Sequence, residues 1–155
     1  MLHITTTSHL YSCQPKTKDE LKKIIIQRIK EDGLECDLND IDVSQITNMG
    51  NLFNAFDKKI FKNFNGDISR WNVSNVDDMS CMFFNCEKFN CDLSKWDVSN
   101  VEDMGAMFYN CYKFNCDLSN WNVSNVEEMY NAFHMCPTKP EWYEPDWYDY
   151  IIKQR

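Results

Sequence analysis

Glycine, proline and histidine are all scarce in this chain of 155 residues, with four, four and three copies. So few glycines exclude the glycine-rich nonapeptide repeats that form calcium-binding β-rolls. Long apolar runs are missing too, because the isoleucines at 24–26 are flanked by charged and polar residues, and a membrane-spanning helix is not expected. A basic surplus is also absent. The formal net charge of −8 argues against a nucleic-acid backbone as the partner.

The first 16 residues have neither a positively charged start nor an apolar run of secretory length. We therefore expect no signal peptide and a cytoplasmic location for the chain as written. Residues 3–7 are rich in threonine, which fits either a β-strand beside the first repeat or a flexible leader.

What the chain contains instead is a tandem repeat. One tryptophan, two valines, one serine, one methionine and one phenylalanine recur at a constant interval of 25 residues. The matching sets are Trp71/Trp96/Trp121, Val73/Val98/Val123, Ser74/Ser99/Ser124, Val76/Val101/Val126, Met79/Met104/Met129 and Phe83/Phe108/Phe133. A fixed period of this length is typical of a solenoid made of stacked coils.

Within one repeat the apolar spacing changes once. Residues 96–98 alternate between apolar and polar, whereas Val101, Met104, Phe108 and Cys111 follow helical spacing. Ser99 and Glu102 have the spacing of a capping box at the start of that helix. The pattern predicts an α/β solenoid in which each coil carries one strand and one capped helix.

We expect four coils and two caps within a single domain. The coils cover residues 36–65, 66–90, 91–115 and 116–136, and we call them units 1 to 4. Unit 1 is a degenerate copy with Ile41 in the tryptophan position and five extra residues. Residues 1–35 supply a leader and an N-terminal capping helix, which the capping box Thr17-Lys-Asp-Glu20 opens and Gly33 ends. Residues 137–155 form a C-terminal cap rich in tryptophan and tyrosine, with Asp146 as the N-cap of a short final helix.

The repeated phrase Phe-Asn-x-Asp-Leu/Ile-Ser-x-Trp-Asn/Asp-Val-Ser-Asn-Val-x-x-Met-x-x-Met-Phe resembles the repeat of BspA-like bacterial surface proteins, which also occurs in mycoplasma lipoproteins. The resemblance covers about residues 35 to 136. It implies a leucine-rich-repeat-like solenoid used for adhesion or protein binding, without catalytic residues. It also implies a cell-surface or secreted location if the native N-terminus differs.

The eight cysteines are expected to be free thiols. Cys86, Cys111 and Cys136 share one repeat position, and Cys36, Cys91 and Cys116 share another, which is typical of small core residues. Zinc sites use short paired spacings such as C-x-x-C, so no metal and no cofactor are predicted. A Cys136/His134 dyad is a poor alternative because residues two apart on a helix do not face each other. We therefore predict no enzymatic activity.

Functional residues must then lie at positions that the repeat leaves variable. If Trp96 and Val98 point inward, their neighbours point outward and form a polar ladder. Its members are Asp40, Asp42, Arg70, Asn72, Lys95, Asp97, Asn120 and Asn122. The alternative is a merely solvated face. Phe84, Tyr109 and His134 form a second candidate column, either a contact patch or the edge of the core.

These positions predict a non-enzymatic module for protein–protein interaction or adhesion, monomeric and with an unidentified protein partner. Two alternatives stay open. One is a structural protein that self-assembles. The other is a protein that binds carbohydrate or peptide through an aromatic column.

Overall fold

The computed structural model of the protein describes residues 11–143. The two alternatives for residues 3–7, and the predicted contributions of residues 144–155 to the C-terminal cap, including Asp146, lie outside the described residues. Within the described part, no helix is long and apolar enough to cross a membrane.

The predicted N-terminal helix, α1, is present and spans Lys18–Asp32. The Thr17 side chain accepts a hydrogen bond from the Glu20 amide at 3.2 Å, as the capping box requires. Gly33, with φ at 93°, ends the helix and donates its amide to the Ile29 carbonyl. The apolar face of α1, formed by Leu21, Ile25 and Ile29, is buried against unit 1.

The prediction of an α/β, leucine-rich-repeat-like solenoid of strand-helix coils is wrong. Apart from α1, the described residues contain one 3₁₀ helix, Lys59–Asn63, and no strand. Parallel pairing is limited to isolated bridges, such as Asn48 with Asp78 and Asp78 with Asp103. The segment predicted as the helix of unit 3 is a run of turns, and Ser99 caps no helix there.

The hydrogen bonds explain why no α-helix forms in the units. In unit 2, alternate amides donate to the carbonyls of unit 3 at 2.8–2.9 Å. These bonds run from Met79, Cys81, Phe83 and Asn85 to Asp103, Gly105, Met107 and Tyr109. Of the amides between them, those of Met82 and Phe84 close tight turns on the third residue back, and that of Ser80 donates to the Asp78 side chain. An α-helix needs each amide to bond four residues back, so these bonds replace it.

This chain of turns needs left-handed backbone at fixed positions. Asn51, Cys81, Ala106 and Asn131 occupy one such position, with φ between 51° and 61°. Asparagine adopts this conformation readily because its short polar side chain can hydrogen-bond locally. Most other residues that carry a Cβ are strained there by about 1–2 kcal/mol. Units 2 and 3 therefore hold strain at Cys81 and Ala106 that units 1 and 4 relieve.

Replacing Ala106 by Asn is expected to raise the free energy of unfolding by about 0.5–1 kcal/mol, because Asn tolerates the φ of 51° found there. Urea denaturation followed by tryptophan fluorescence measures the change. Ala106→Val is the matched control and should be destabilising. An equal or lower stability for the Asn variant would contradict the strain.

The core consists of aromatic columns that run through the stack. Phe53, Phe83, Phe108 and Phe133 stack in succession with ring centroids 5.4 Å apart. Trp71, Trp96 and Trp121 are each 4% exposed, which confirms that the tryptophans point inward. Their indole nitrogens donate to the carbonyls of Leu38, Ile68 and Leu93 in the preceding unit, at 2.9–3.1 Å.

Trp142 is a fourth member of the tryptophan column. Its ring lies 6.4 Å from that of Trp121, and its indole nitrogen donates to the Leu118 carbonyl at 3.0 Å. Sequence spacing does not reveal this role, because Trp142 follows Trp121 at a shorter interval than the repeat. The residues after unit 4 thus begin to cover the end of the stack.

The opposite end of the stack is covered by α1. Besides its apolar face, α1 contributes two ammonium groups that bond to backbone carbonyls of unit 1. Lys18 Nζ reaches the Gly50 carbonyl at 2.9 Å, and Lys22 Nζ reaches the Asn51 carbonyl at 3.0 Å. Donors from α1 therefore engage the carbonyls of unit 1 at Gly50 and Asn51.

Candidate interaction surface

The polar ladder lies on the surface, but its residues do not form one free face. Arg70, Asn72, Lys95, Asp97, Asn120 and Asn122 are exposed, whereas Asp40 and Asp42 are partly covered. No strand positions these residues. They lie instead in two turns of each unit, on either side of the buried tryptophan or, in unit 1, of Ile41.

Half of the ladder is engaged in closing these turns. Asn72 Oδ1 accepts hydrogen bonds from the Ser74 amide and hydroxyl at 3.1 and 2.6 Å. Asp97 makes the same two bonds with Ser99, at the same distances. The Asp42 and Asn122 side chains accept from the Ser44 and Ser124 amides. These four side chains are turn formers, so their recurrence has a structural cause.

The first rung of the ladder is covered by residues that precede unit 1. The guanidinium of Arg28 bonds to the Asp40 carboxylate, and Gln14 Nε2 donates to Asp42 Oδ2 at 2.6 Å. The Ser12 amide also donates to the Asp40 carbonyl at 2.7 Å. A partner that bound the whole ladder would have to displace these contacts.

The turn-closing role of Asp97 makes stability depend on pH. The pKa of Asp97 is lowered, first by the Ser99 hydroxyl and then by the Ser99 amide. Its carboxylate therefore stabilises the fold above the unfolded pKa of about 3.9, and the contribution is lost as the pH falls through the lower folded pKa.

Replacing Asp97 by Asn should abolish this pH dependence, because Asn72 already makes the same two bonds in unit 2. Near pH 7 the variant should melt close to the unmodified chain. Below about pH 4 it should lose less stability than the unmodified chain as acid is added. Thermal melts at a series of pH values test this, and parallel curves throughout would contradict it.

The second candidate column is a continuous stack of rings. Phe84 and Tyr109 lie 4.7 Å apart, centroid to centroid, with planes inclined by 8°. Tyr109 and His134 lie 4.5 Å apart with planes inclined by 20°. Phe84 and Tyr109 are partly exposed and His134 is exposed, so this column stands at the surface and not in the core.

Unit 4 adds apolar surface beside the end of this column. Met135 is 60% exposed at a position that Asn85 and Asn110 occupy in the preceding units. Tyr130 is 51% exposed, where the preceding units have Ser80 and Gly105. Neither residue was predicted from the sequence. Their signal is the replacement of a polar or small residue by a large apolar one in the last unit only.

A shallow groove runs along another side of the stack. It consists of successive open depressions of about 250, 310 and 270 Å³. Its recurrent lining residues are Asn65, Asn90 and Asn115, Cys91 and Cys116, and Asp67, Asp92 and Asp117. The asparagines form a ladder in which Asn65 Oδ1 accepts the Asn90 amide and Asn90 Oδ1 accepts the Asn115 amide, at 2.9 and 2.8 Å.

All eight cysteines are free thiols in this structure. Cys86 and Cys111 are fully buried, and each donates its thiol to a carbonyl of an earlier unit, at 2.9 and 3.0 Å. In the groove, burial raises the pKa of Cys91 to about 12. A thiol with so high a pKa is protonated at neutral pH and is a poor nucleophile. Within residues 11–143, no three side chains of histidine, cysteine or acidic type converge as metal ligands.

Comparison with known protein families gives a match over most of the chain. The model of a family described as "Mycoplasma protein of unknown function, DUF285" matches residues 22–142. The matched segment includes most of α1, all four units and Trp142. No curated protein and no solved structure matches the chain.

Proposed function

The chain belongs to the DUF285 family, described as mycoplasma proteins of unknown function, and we propose that it is a non-enzymatic protein-interaction module. The observation that carries the proposal is the surface column of Phe84, Tyr109 and His134. Three stacked rings, each from a different unit, present a rigid aromatic surface. Aromatic residues are enriched in the centres of protein–protein interfaces because they bury large areas at a small cost in conformational entropy.

The ring geometry favours a protein over a carbohydrate as the ligand. A sugar stacks on an open aromatic face, but Tyr109 has Phe84 on one face and His134 on the other. The column therefore offers ring edges along its length, which suit the apolar side chains and carbonyl groups of a protein.

Two further considerations support this surface. Four residues of the polar ladder already serve as turn formers, and its first rung is covered, so the ladder is the weaker candidate. The resemblance of the repeat to BspA-like proteins also favours adhesion or binding over catalysis. The buried Cys136 thiol points to the Phe114 carbonyl while His134 stacks on Tyr109, so these two residues do not make a catalytic pair.

A pull-down with the tagged, intact chain from cells of its source organism tests the proposal. The double variant Tyr109→Ser/His134→Ser should lose the retained protein while its melting temperature shows that it stays folded. The matched control Lys95→Ala/Asn120→Ala changes two exposed residues of the polar ladder outside the four turn formers and should retain it. Loss of the partner in the ladder variant alone would overturn the proposal.

Light scattering on the purified protein separates this function from self-assembly. An interaction module whose partner is another protein should be monomeric by itself. Concentration-dependent growth in mass that the Tyr109→Ser/His134→Ser variant abolishes would instead show that the ring column joins copies of this chain.

A further inference from the structure

Within residues 11–143, the bonds between units leave one edge of the stack without backbone acceptors. Units 2 and 3 each donate four alternate amides to the following unit, and in unit 3 these come from Met104, Ala106, Phe108 and Asn110. The equivalent amides of unit 4 belong to Met129, Asn131, Phe133 and Met135. Within residues 11–143, no backbone carbonyl accepts a hydrogen bond from any of these four.

Only the middle of this edge is covered by a described residue. The rings of Trp142 and Tyr143 pack on Phe133 with centroids 5.7 and 4.9 Å away. The Tyr143 hydroxyl also lies beside the Phe133 amide, whose proximity opposes the rise that burial causes in the pKa of that hydroxyl. The amides of Asn131 and Met135, on either side of Phe133, lack such a cover among the described residues.

The same end of the stack carries Met135, a large apolar residue at a position where units 2 and 3 have asparagine. Met135 stands exposed next to His134, whose outer ring face extends beyond the column. Apolar side chains beside unsatisfied amides suit a polypeptide, which supplies carbonyl oxygens to the amides and side chains to the apolar surface. A small anion would satisfy the amides but would leave Met135 and His134 exposed.

A second copy of the chain does not fit this edge. The carbonyls that it would have to offer belong to its unit 1, where α1 packs across the end and Lys18 already donates to the Gly50 carbonyl. The unit 4 edge of a second copy presents backbone amides, and two rows of amide donors cannot hydrogen-bond to each other.

We propose that the edge of unit 4 at Asn131, His134 and Met135 binds an extended segment of a partner protein by main-chain hydrogen bonds. Carbonyls four residues apart in that segment accept from the amides of Asn131 and Met135, in the register in which unit 4 carbonyls accept from unit 3. The carbonyl between them faces the Phe133 amide, which the Tyr143 hydroxyl covers in the free chain. A planar side chain of the segment stacks on the outer face of His134 and continues the ring column. The inference rests on the proposed function, because His134 belongs to both surfaces.

The test uses a synthetic peptide with the sequence of residues 125–135, since this is the segment that unit 3 accepts within the molecule. The ¹⁵N-labelled intact chain is titrated with it. In the free chain, the amides of Asn131 and Met135 should exchange with solvent much faster than those of Cys81 and Asn85, which are bonded to unit 3. Peptide binding should shift their resonances and slow their exchange.

Two variants locate the contact. Met135→Asn restores the residue type of units 2 and 3, keeps the amide and should weaken peptide binding about tenfold by removing one apolar contact. Tyr143→Phe removes the hydroxyl beside the Phe133 amide and should strengthen binding by roughly fivefold, because one more donor becomes available. Lys95→Ala, far from this edge in the repeat, should leave binding unchanged.

The inference fails if the Asn131 and Met135 amides are already protected in the free chain, since the edge is then occupied. It also fails if millimolar peptide leaves their resonances unchanged or shifts those of the polar ladder instead. Failure here combined with a partner that depends on Tyr109 leaves the proposed function standing. If the peptide binds but no retained protein depends on Tyr109, the unit 4 edge is a binding site and the proposed role of the ring column fails.

Discussion

Replacing Trp96 by Ala is expected to lower the free energy of unfolding by about 3–5 kcal/mol, as truncation of a large aromatic core residue does. The side chain is only 4% exposed and contacts Phe83 of the preceding unit, with ring centroids 6.4 Å apart. Truncation also leaves the Ile68 carbonyl without the indole donor that now reaches it at 3.1 Å. Since a domain of this size has about 5–15 kcal/mol of stability, the variant should be barely folded.

Lys95→Ala is the matched control, one residue away on the exposed side. Its stability should change by about 0.5 kcal/mol or less. Guanidinium denaturation followed by far-ultraviolet circular dichroism compares both variants with the unmodified chain. Nearly equal midpoints for Trp96→Ala and Lys95→Ala would mean that the tryptophan column does not support the stack.

Replacing Ile25 by Asp should have an effect of similar size at the end of the molecule. Ile25 is fully buried on the face of α1 that packs on unit 1, so the substitution places a carboxylate in an apolar cluster. We expect a loss of about 4 kcal/mol or more, with α1 detached and unit 1 exposed. Exposed end units of repeat proteins associate, so the variant should aggregate.

Lys23→Asp is the control for this change, because it introduces the same residue on the exposed side of α1. It should stay soluble and change stability by about 0.5 kcal/mol. Size-exclusion chromatography and thermal melts distinguish the two variants. An Ile25→Asp chain that remains monomeric and melts normally would show that α1 is dispensable as a cap.

α1 was predictable from the sequence because its signals are local. Thr17 and Glu20 have capping-box spacing, Gly33 supplies the left-handed end, and the apolar residues follow one face. The inward direction of the tryptophans was predictable as well, since Trp96 and Val98 share a parity whether the backbone forms a strand or a turn.

The structure of the units was not predictable in the same way. The spacing of Val101, Met104, Phe108 and Cys111 suits a helix, but it suits a chain of turns equally well when alternate amides bond to the next unit. That choice depends on partners about 25 residues away, which no local pattern contains. The left-handed positions gave only a partial signal, because Cys81 and Ala106 are residues that rarely adopt positive φ.

The same distinction between local and long-range signals applies to the candidate sites. The spacing Asp97-Val-Ser99 is that of an Asx turn, so the structural role of half the polar ladder was readable from the sequence. The stacking of Tyr109 on Phe84 and His134 was not, because their shared repeat position fits the surface and the core edge equally.

The repeated bonds between units have a consequence for how chains of this kind change in length. Each unit meets the next through the same atoms, so excision of residues 91–115 would bring the Met79 amide opposite the Glu128 carbonyl and the Phe83 ring opposite Phe133. A cut one residue longer or shorter would misalign every ring and every donor behind it. Genetic insertions and deletions should therefore survive as whole repeats, or where they leave the bonded positions in register, as the five extra residues of unit 1 do. The length of the stack should thus change mainly in fixed steps.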